Sequence, residues 1–198
     1  MKTLLNTASL VAAVTLVASL ATGCGGEDPA AVASAELNGT WQTQCFPTMV
    51  GFATTTLTYS NLALAGAYTE YSDRACTQAI HVSRWTGHGT VSGPARNGVT
   101  PIDIAFDSFT STALTADNAT QNNSYQYCGF TDWRANVERD VLGAMCQGFA
   151  IPRGARSLDI YQVDATSLRF GQGAQIAVNP AESTRPSAID VGRVFTRR

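Results

Sequence analysis

Between residues 39 and 93 polar and apolar residues alternate in short runs rich in Thr, Val, Tyr and Ala, the pattern of strands buried on one face. The runs cover residues 40–45, 54–59, 65–71, 76–85 and 87–93. Ser60-Asn61, Ser72-Asp73 and Thr86-Gly87 separate them at the intervals of an antiparallel meander. Thr86-Gly87 in particular predicts a two-residue hairpin turn. Period-two alternation is clearest in Leu57-Thr58-Tyr59, in Ile80-His81-Val82, and over residues 101–106, where Ile102, Ile104 and Phe106 alternate with Asp103 and Ala105. After Pro152, Leu158, Ile160 and Gln162 alternate with Asp159, Tyr161 and Val163. Asp164-Ala165-Thr166 then turns the chain into residues 167–171, a predicted hairpin. A Pro-containing loop over 179–188 and a terminal strand over 192–197 complete the chain. The total is about eight to ten strands without α/β alternation, an all-β fold in which an antiparallel meander closes into a barrel or sandwich.

Residues 112–149 interrupt this pattern. The Asn-rich stretch 116–124 reads as a short surface helix or a loop. Trp133, Val137 and Val141, at helical spacing behind a possible Asp132 cap, suggest a helix over 132–145; the alternative is an extended segment followed by a turn near Gly143. Both readings make this one irregular or partly helical insertion.

The first residues follow a different logic. Lys2 supplies a positive start, residues 4–20 an apolar run diluted by Thr7, Ser9, Thr15 and Ser19, and Ala21-Thr22-Gly23-Cys24 closes it, which is an export signal. The ending resembles the lipobox of bacterial lipoproteins, in which the cysteine becomes the acylated first residue. Ala21 stands where that pattern favours Leu. The resemblance implies a signal peptide over 1–23, lipidation at Cys24, and a membrane anchor. Gly25 rather than an aspartate follows Cys24, which by the same resemblance permits sorting to the outer membrane. The alternatives are ordinary secretion, cut after Ala33-Ser34-Ala35, and a retained span, for which the run is short. Residues 24–35 then form the lipidated cysteine and a flexible tether with nothing to pack, and 36–198 a single domain.

Composition mainly excludes. The formal charge is −2 and the arginines are scattered, so no basic stripe points to nucleic acid. Lys2 is the only lysine and leaves with the signal, which removes Schiff-base and Walker-type chemistry. Of the five cysteines, Cys45, Cys76, Cys128 and Cys146 lie in the domain, an even number in an exported chain. Of the three connectivities, Cys45–Cys76 and Cys128–Cys146 are favoured, because sequential pairing ties neighbouring strands and closes the irregular region; each bridge is worth about 2–4 kcal/mol. A zinc site lacks Cys-x-x-Cys spacing.

Catalytic constellations are weak. With a hairpin at Thr86-Gly87, His81 and His88 share one sheet face about 13 Å apart, too far for a common metal, and read as outer-face polar residues. There is no Gly-x-Ser-x-Gly, and Asp103 with Asp107 or Asp132 with Asp140 read as strand-end or turn acids, with Glu138-Arg139-Asp140 a solvated charge run. No cofactor, catalytic residue or metal site is assigned. The aromatics Trp41, Tyr59, Tyr71, Trp85, Phe106, Tyr161 and Phe170 fall on strands, where they serve as core or line a ligand cavity.

Leu37-Asn38-Gly39-Thr40-Trp41 opens the domain with Gly-x-Trp, and Gly192-Arg193-Val194-Phe195 closes it with an arginine. This resembles the lipocalin and wider calycin pattern, which implies an eight-stranded barrel with Trp41 packed at its closed end against Arg193. Together with Tyr71-Ser72-Asp73-Arg74-Ala75-Cys76, Ser167-Leu168-Arg169-Phe170-Gly171 and Arg185-Pro186, the layout resembles small, uncharacterised bacterial envelope lipoproteins. The leading expectation is a non-enzymatic envelope lipoprotein whose barrel binds a small apolar ligand. A protein-interaction module, such as an inhibitor of secreted proteases or lysozymes or an envelope assembly factor, is second, and a hydrolase third.

Overall fold

Alternation along the chain becomes curvature in space. The computed structural model describes residues 28–198. Its elements are α1 (Pro29–Leu37), β1 (Gly39–Thr43), β2 (Phe46–Pro47), β3 (Phe52–Ser60), β4 (Ala63–Tyr71), β5 (Ala79–Val91), β6 (Thr100–Ala113), α2 (Ala116–Ser124), β7 (Arg139–Asp140), β8 (Arg156–Val163), β9 (Ser167–Phe170), β10 (Ile176–Ala177) and β11 (Phe195–Arg197). Among the described residues, eight antiparallel strands close into a barrel in the order β1-β3-β4-β5-β6-β8-β9-β11, with β11 returning to β1. β2, β7 and β10 are short additions paired to β3, β6 and β8. Closure leaves these eight strands without an unpaired edge over the barrel's lower half.

The predicted turn at Ser60-Asn61 forms as the β3–β4 hairpin, with Asn61 (φ 48°) and Leu62 (φ 67°) both left-handed as a two-residue hairpin requires. The hairpin expected at Thr86-Gly87 does not form, and β5 runs straight through it. At that point β6 carries the irregularity: Thr86 pairs with Ser108 and Gly87 with Phe106, so Asp107 bulges out. A Cβ on Gly87 would lie 2.1 Å from the Ala105 carbonyl oxygen, so the glycine admits the bulge and makes no turn. The bulge also shifts the phase of β6. Ile102, Ile104 and Phe106 face inward below it, and Phe109, Ser111 and Ala113 above it.

The lower half of β6 pairs with β8 and its upper half with β7. Residues 114–155 leave through this divergence as the insertion. It contains α2, capped by Thr115, whose Oγ1 accepts the Asn118 N–H at 3.1 Å. Residues 132–145 form no helix. Trp133 is buried there, its N–H donating to Asn123 Oδ1 at 2.6 Å and its Nε1–H to the Tyr127 carbonyl at 3.1 Å, while Val137 is exposed. Arg139 is not a solvated charge: its guanidinium lies 4.3 Å over the Phe130 ring and pairs with Asp132 at 2.7 Å.

Both favoured disulfides are present. Cys45–Cys76 links the end of β1 to the β4–β5 connection, and Cys128–Cys146 closes the insertion. Two cores follow. One gathers Leu37, Trp41, Tyr59, Ile102, Tyr161 and Leu168 at the end of the barrel that α1 covers; the other gathers Phe109, Trp133, Val141 and the second disulfide beneath the insertion.

Two expectations at the covered end are corrected. The stretch read as tether is helical from Pro29, and its Ala33 and Leu37 are buried in the first core, so the packed chain begins before Glu36. The arginine over Trp41 is Arg197, 4.2 Å from the ring centroid, because β1 and β11 pair Trp41 directly with Arg197. Arg193 lies at the other end, 5.9 Å from the Phe46 ring. Cys24, the signal segment and residues 24–27 of the tether lie outside the described residues.

Candidate functional site: the barrel lumen

Between the two cores lies a cavity of about 630 Å³. Residues directly paired across strands share a face, so the chain of partners Leu57–Gly66–Trp85–Phe109 circles its wall. Gly66 is required by close approach: a Cβ there would meet the Trp85 ring at 2.0 Å, so the indole lies against the backbone of β4 and leaves the lumen clear. Phe106, Phe170 and Phe195 add aromatic surface. The neighbouring inward positions are small and polar, namely Thr55, Ser83 and Ser157.

The mouth carries Tyr68, Glu70 and Arg193 from the barrel and Tyr127, Gln147 and Phe149 from the insertion. Burial raises the Tyr68 and Tyr127 hydroxyls, and the nearby Arg193 charge partly offsets this at Tyr68. Arg193 also borders a smaller groove of about 480 Å³ beside Cys45. The residue expected to seal the barrel therefore stands at its opening.

Deeper in, Asp159 faces the lumen from β8, opposite Ile102. Its Oδ1 accepts the N–H groups of Ile160 (2.7 Å) and Gly171 (3.0 Å). Burial pushes its carboxyl up to about 6 in spite of those bonds and of the Arg185 charge. Tyr59 stands beside it on β3, its hydroxyl buried without a hydrogen-bond partner and shifted upward by burial and by the Asp159 charge. Tyr161 is pushed up to about 12 by burial as well. Sequence reading passed over Asp159 because Leu158 and Ile160 form the apolar row of β8. Those two point outward, and Asp159 and Ser157 inward.

His81 and His88 lie on opposite faces of β5, not on one. His88 is exposed, 3.5 Å from Asp107. His81 is buried, its Nδ1–H donating to Asn118 Oδ1 (3.0 Å) and its Nε2 accepting from the Ser111 hydroxyl (2.6 Å). Ser111–His81–Asn118 has the serine, base and orienter order of an acyl-transfer triad. Its geometry does not serve one. Ser111 is 1% exposed, sits mid-strand with β5 on one side and β7 on the other, and is absent from the lumen wall, so a carbonyl carbon cannot reach it. The relay instead ties α2 to the barrel wall.

The candidate acids are all engaged. Asp103 pairs with Arg185 (2.7 Å) and Arg156 (2.9 Å), Asp132 with Arg139, and Asp140 with Arg153 (3.3 Å). Neither proposed carboxylate pair shares a cleft wall, and the lumen's own carboxylates are Glu70 and Asp159. Among the described residues, no three His, Cys, Asp or Glu side chains gather where a metal could bind. No protein-family model matches the chain, and no curated protein matches it at a significant level.

Proposed function

We propose that this chain is an exported, lipid-anchored envelope protein whose barrel carries one small, mainly apolar molecule. The observation that supports this most is the lumen itself. A volume of about 630 Å³ falls inside the range of about 300–1,000 Å³ typical of small-molecule sites, and its aromatic walls with a few polar groups have the usual composition of such sites. The anchor reading draws on the N-terminal pattern ending at Cys24, and on α1, which starts at Pro29 and brings the chain out at the covered end of the barrel. Native mass spectrometry of protein purified from its own envelope tests the carrier role: a stoichiometric extra mass supports it, and a ligand-free protein that also ignores hydrophobic probes refutes it. For the anchor, the N-terminal mass with and without Cys24→Ser decides; a chain starting elsewhere without acyl mass refutes it.

A second reading, an interaction module, is favoured by large apolar side chains exposed on two loops. Met49 and Val50 are fully or largely exposed on the β2–β3 loop, and Met145 and Phe149 are exposed on the insertion. If a protein partner is the target, Met49→Ser with Val50→Ser abolishes co-purification and leaves the lumen's probe binding unchanged.

A further inference from the structure

We infer that the molecule carried in the lumen bears a positively charged amine, seated against the Asp159 carboxylate with the Tyr59 hydroxyl beside it. This deepens the carrier reading above and rests on it.

The argument begins with what Asp159 lacks. The residue is only 7% exposed yet lines an open cavity, and Oδ2 makes no hydrogen bond among the described residues. The nearest guanidinium, Arg185, is committed elsewhere. It donates to Asp103 Oδ1 (2.7 Å), to both carboxylate oxygens of Glu182 (2.6 and 3.0 Å), and to the main-chain carbonyls of Ile102 (3.2 Å) and Asp159 (2.8 Å). It touches the Asp159 backbone and not its carboxylate, and its charge is balanced by two other acids. Of the remaining charged groups around the lumen, Arg193 and Glu70 are at the mouth. His81 has both ring nitrogens engaged by Asn118 and Ser111. Among the described residues, the lumen therefore has an acid in its depth without a cation beside it.

The neighbours fit an ammonium group. Three N–H donors need acceptors, and Asp159 Oδ2 and the unpartnered Tyr59 oxygen are both unspent. In a poorly solvated wall an ammonium–carboxylate contact is a charge-assisted hydrogen bond strengthened by the low dielectric. The Phe170 and Trp85 rings that line the same lumen favour a cation and accommodate an apolar body. A fatty acid, by contrast, would bring a second negative charge toward Asp159. The carboxyl titrates near 6, so it is ionised at neutral pH and available to the amine.

The test uses one apolar body with three heads, 4-phenylbutylamine, 4-phenylbutanol and 4-phenylbutanoate, each displacing the neutral probe N-phenyl-1-naphthylamine from the full chain at pH 7.5. The expected order is amine first, at least about tenfold tighter than the alcohol, with the carboxylate weakest. Asp159→Asn, which keeps the Oδ1 acceptor for Ile160 and Gly171, brings the ratio of amine to alcohol affinity down to within about twofold of one. Tyr59→Phe weakens the amine more than the alcohol. Equal binding of amine and alcohol, or preference for the carboxylate, with the probe still bound, overturns this inference and leaves the carrier reading standing. A protein that binds neither probe nor any head overturns both. The wild-type series decides even if a variant fails to fold.

Discussion

Replacing Arg197 with alanine isolates the seal at the covered end of the barrel. The guanidinium lies 4.2 Å over the Trp41 ring, and its Nη1 and Nη2 donate to the carbonyls of Asn38 (2.7 Å) and Glu36 (3.0 Å). Those carbonyls belong to the C-terminal end of α1, where unmet acceptors and the helix dipole both favour a cation. The side chain is exposed, so the low ends of the usual ranges apply: about 0.5 kcal/mol for the cation–π contact and somewhat under 1 kcal/mol for each hydrogen bond, about 2 kcal/mol in all. For a domain of this size that is a fall in Tm of about 4–8 °C. Arg193→Ala is the control. Arg193 is 5.9 Å from the Phe46 ring and makes no side-chain hydrogen bond among the described residues, so its removal should move Tm by no more than about 1–2 °C. Arg197→Lys, which keeps the charge but not the two-pronged donor, should fall between. Melting followed by circular dichroism with both disulfides intact reads all three. If Arg197→Ala melts with the wild type, or Arg193→Ala loses as much, the sealing role assigned to Arg197 is wrong.

Three further outcomes follow from the lumen and its wall. Gly66→Ala should displace the Trp85 ring into the cavity, lowering both Tm and probe binding and shifting tryptophan fluorescence; unchanged probe affinity would contradict the close approach of β4 and the indole. Asp159 titrates at about 6 in the fold against about 3.9 unfolded, so between those values the native state keeps a proton the unfolded chain has lost. Stability should therefore fall as pH rises from about 4 to about 6, by at most about 3 kcal/mol, and Asp159→Asn should flatten that slope in urea titrations at pH 4.5 and 7; Arg185, Tyr59 and Tyr161, the ionisable groups facing it, do not titrate in this window. A fluorophosphonate should leave Ser111 unlabelled while Ser111→Ala and His81→Ala both lower Tm, because the relay is structural; labelling of Ser111 would reinstate a hydrolase.

The fold class was legible in the sequence because period two survives wherever one strand face is buried and the other wet. The Ser60-Asn61 turn, the β8–β9 hairpin and both disulfides belong to that legible part. What escaped depends on pairing across long separations. Gly87 has turn chemistry, and only the Ala105 carbonyl pressed against it shows that it admits a bulge in another strand. Arg193 and Arg197 are equally good candidates until the β1–β11 register sets one of them opposite Trp41. Residues 132–145 carry a helical spacing that tertiary bonds override, since Trp133 is fixed by Asn123 and Tyr127 rather than by an i, i+4 ladder. Asp159 was the costliest omission. The loop over 179–190 covers the outer face of β8, with Arg185 reaching the Ile102 and Asp159 carbonyls and Pro186 packed near Gly171. That coverage lets Leu158 and Ile160 be buried outside the barrel and inverts the usual rule that the apolar row faces in.

The same inversion bears on why the barrel is hollow. A barrel of this strand number can be filled by its own side chains, and here the covered end is, by Leu37, Trp41 and Ile102, while Trp133, Val141 and the Cys128–Cys146 bridge form a second core beneath the insertion, beside the mouth. The middle layer departs from that pattern in a consistent way. Thr55, Ser83 and Ser157 are too small to meet across the lumen, Gly66 lets the largest side chain lie back against the wall, and the carboxylate that the described residues place in the depth, Asp159, is set where apolar packing would have been more stable. Each choice costs stability singly, and all of them fall on the wall of one lumen. A packed end and a disulfide-stapled insertion around an under-filled, partly polar centre is the arrangement in which a scaffold bears the stability and the lumen is left to a guest.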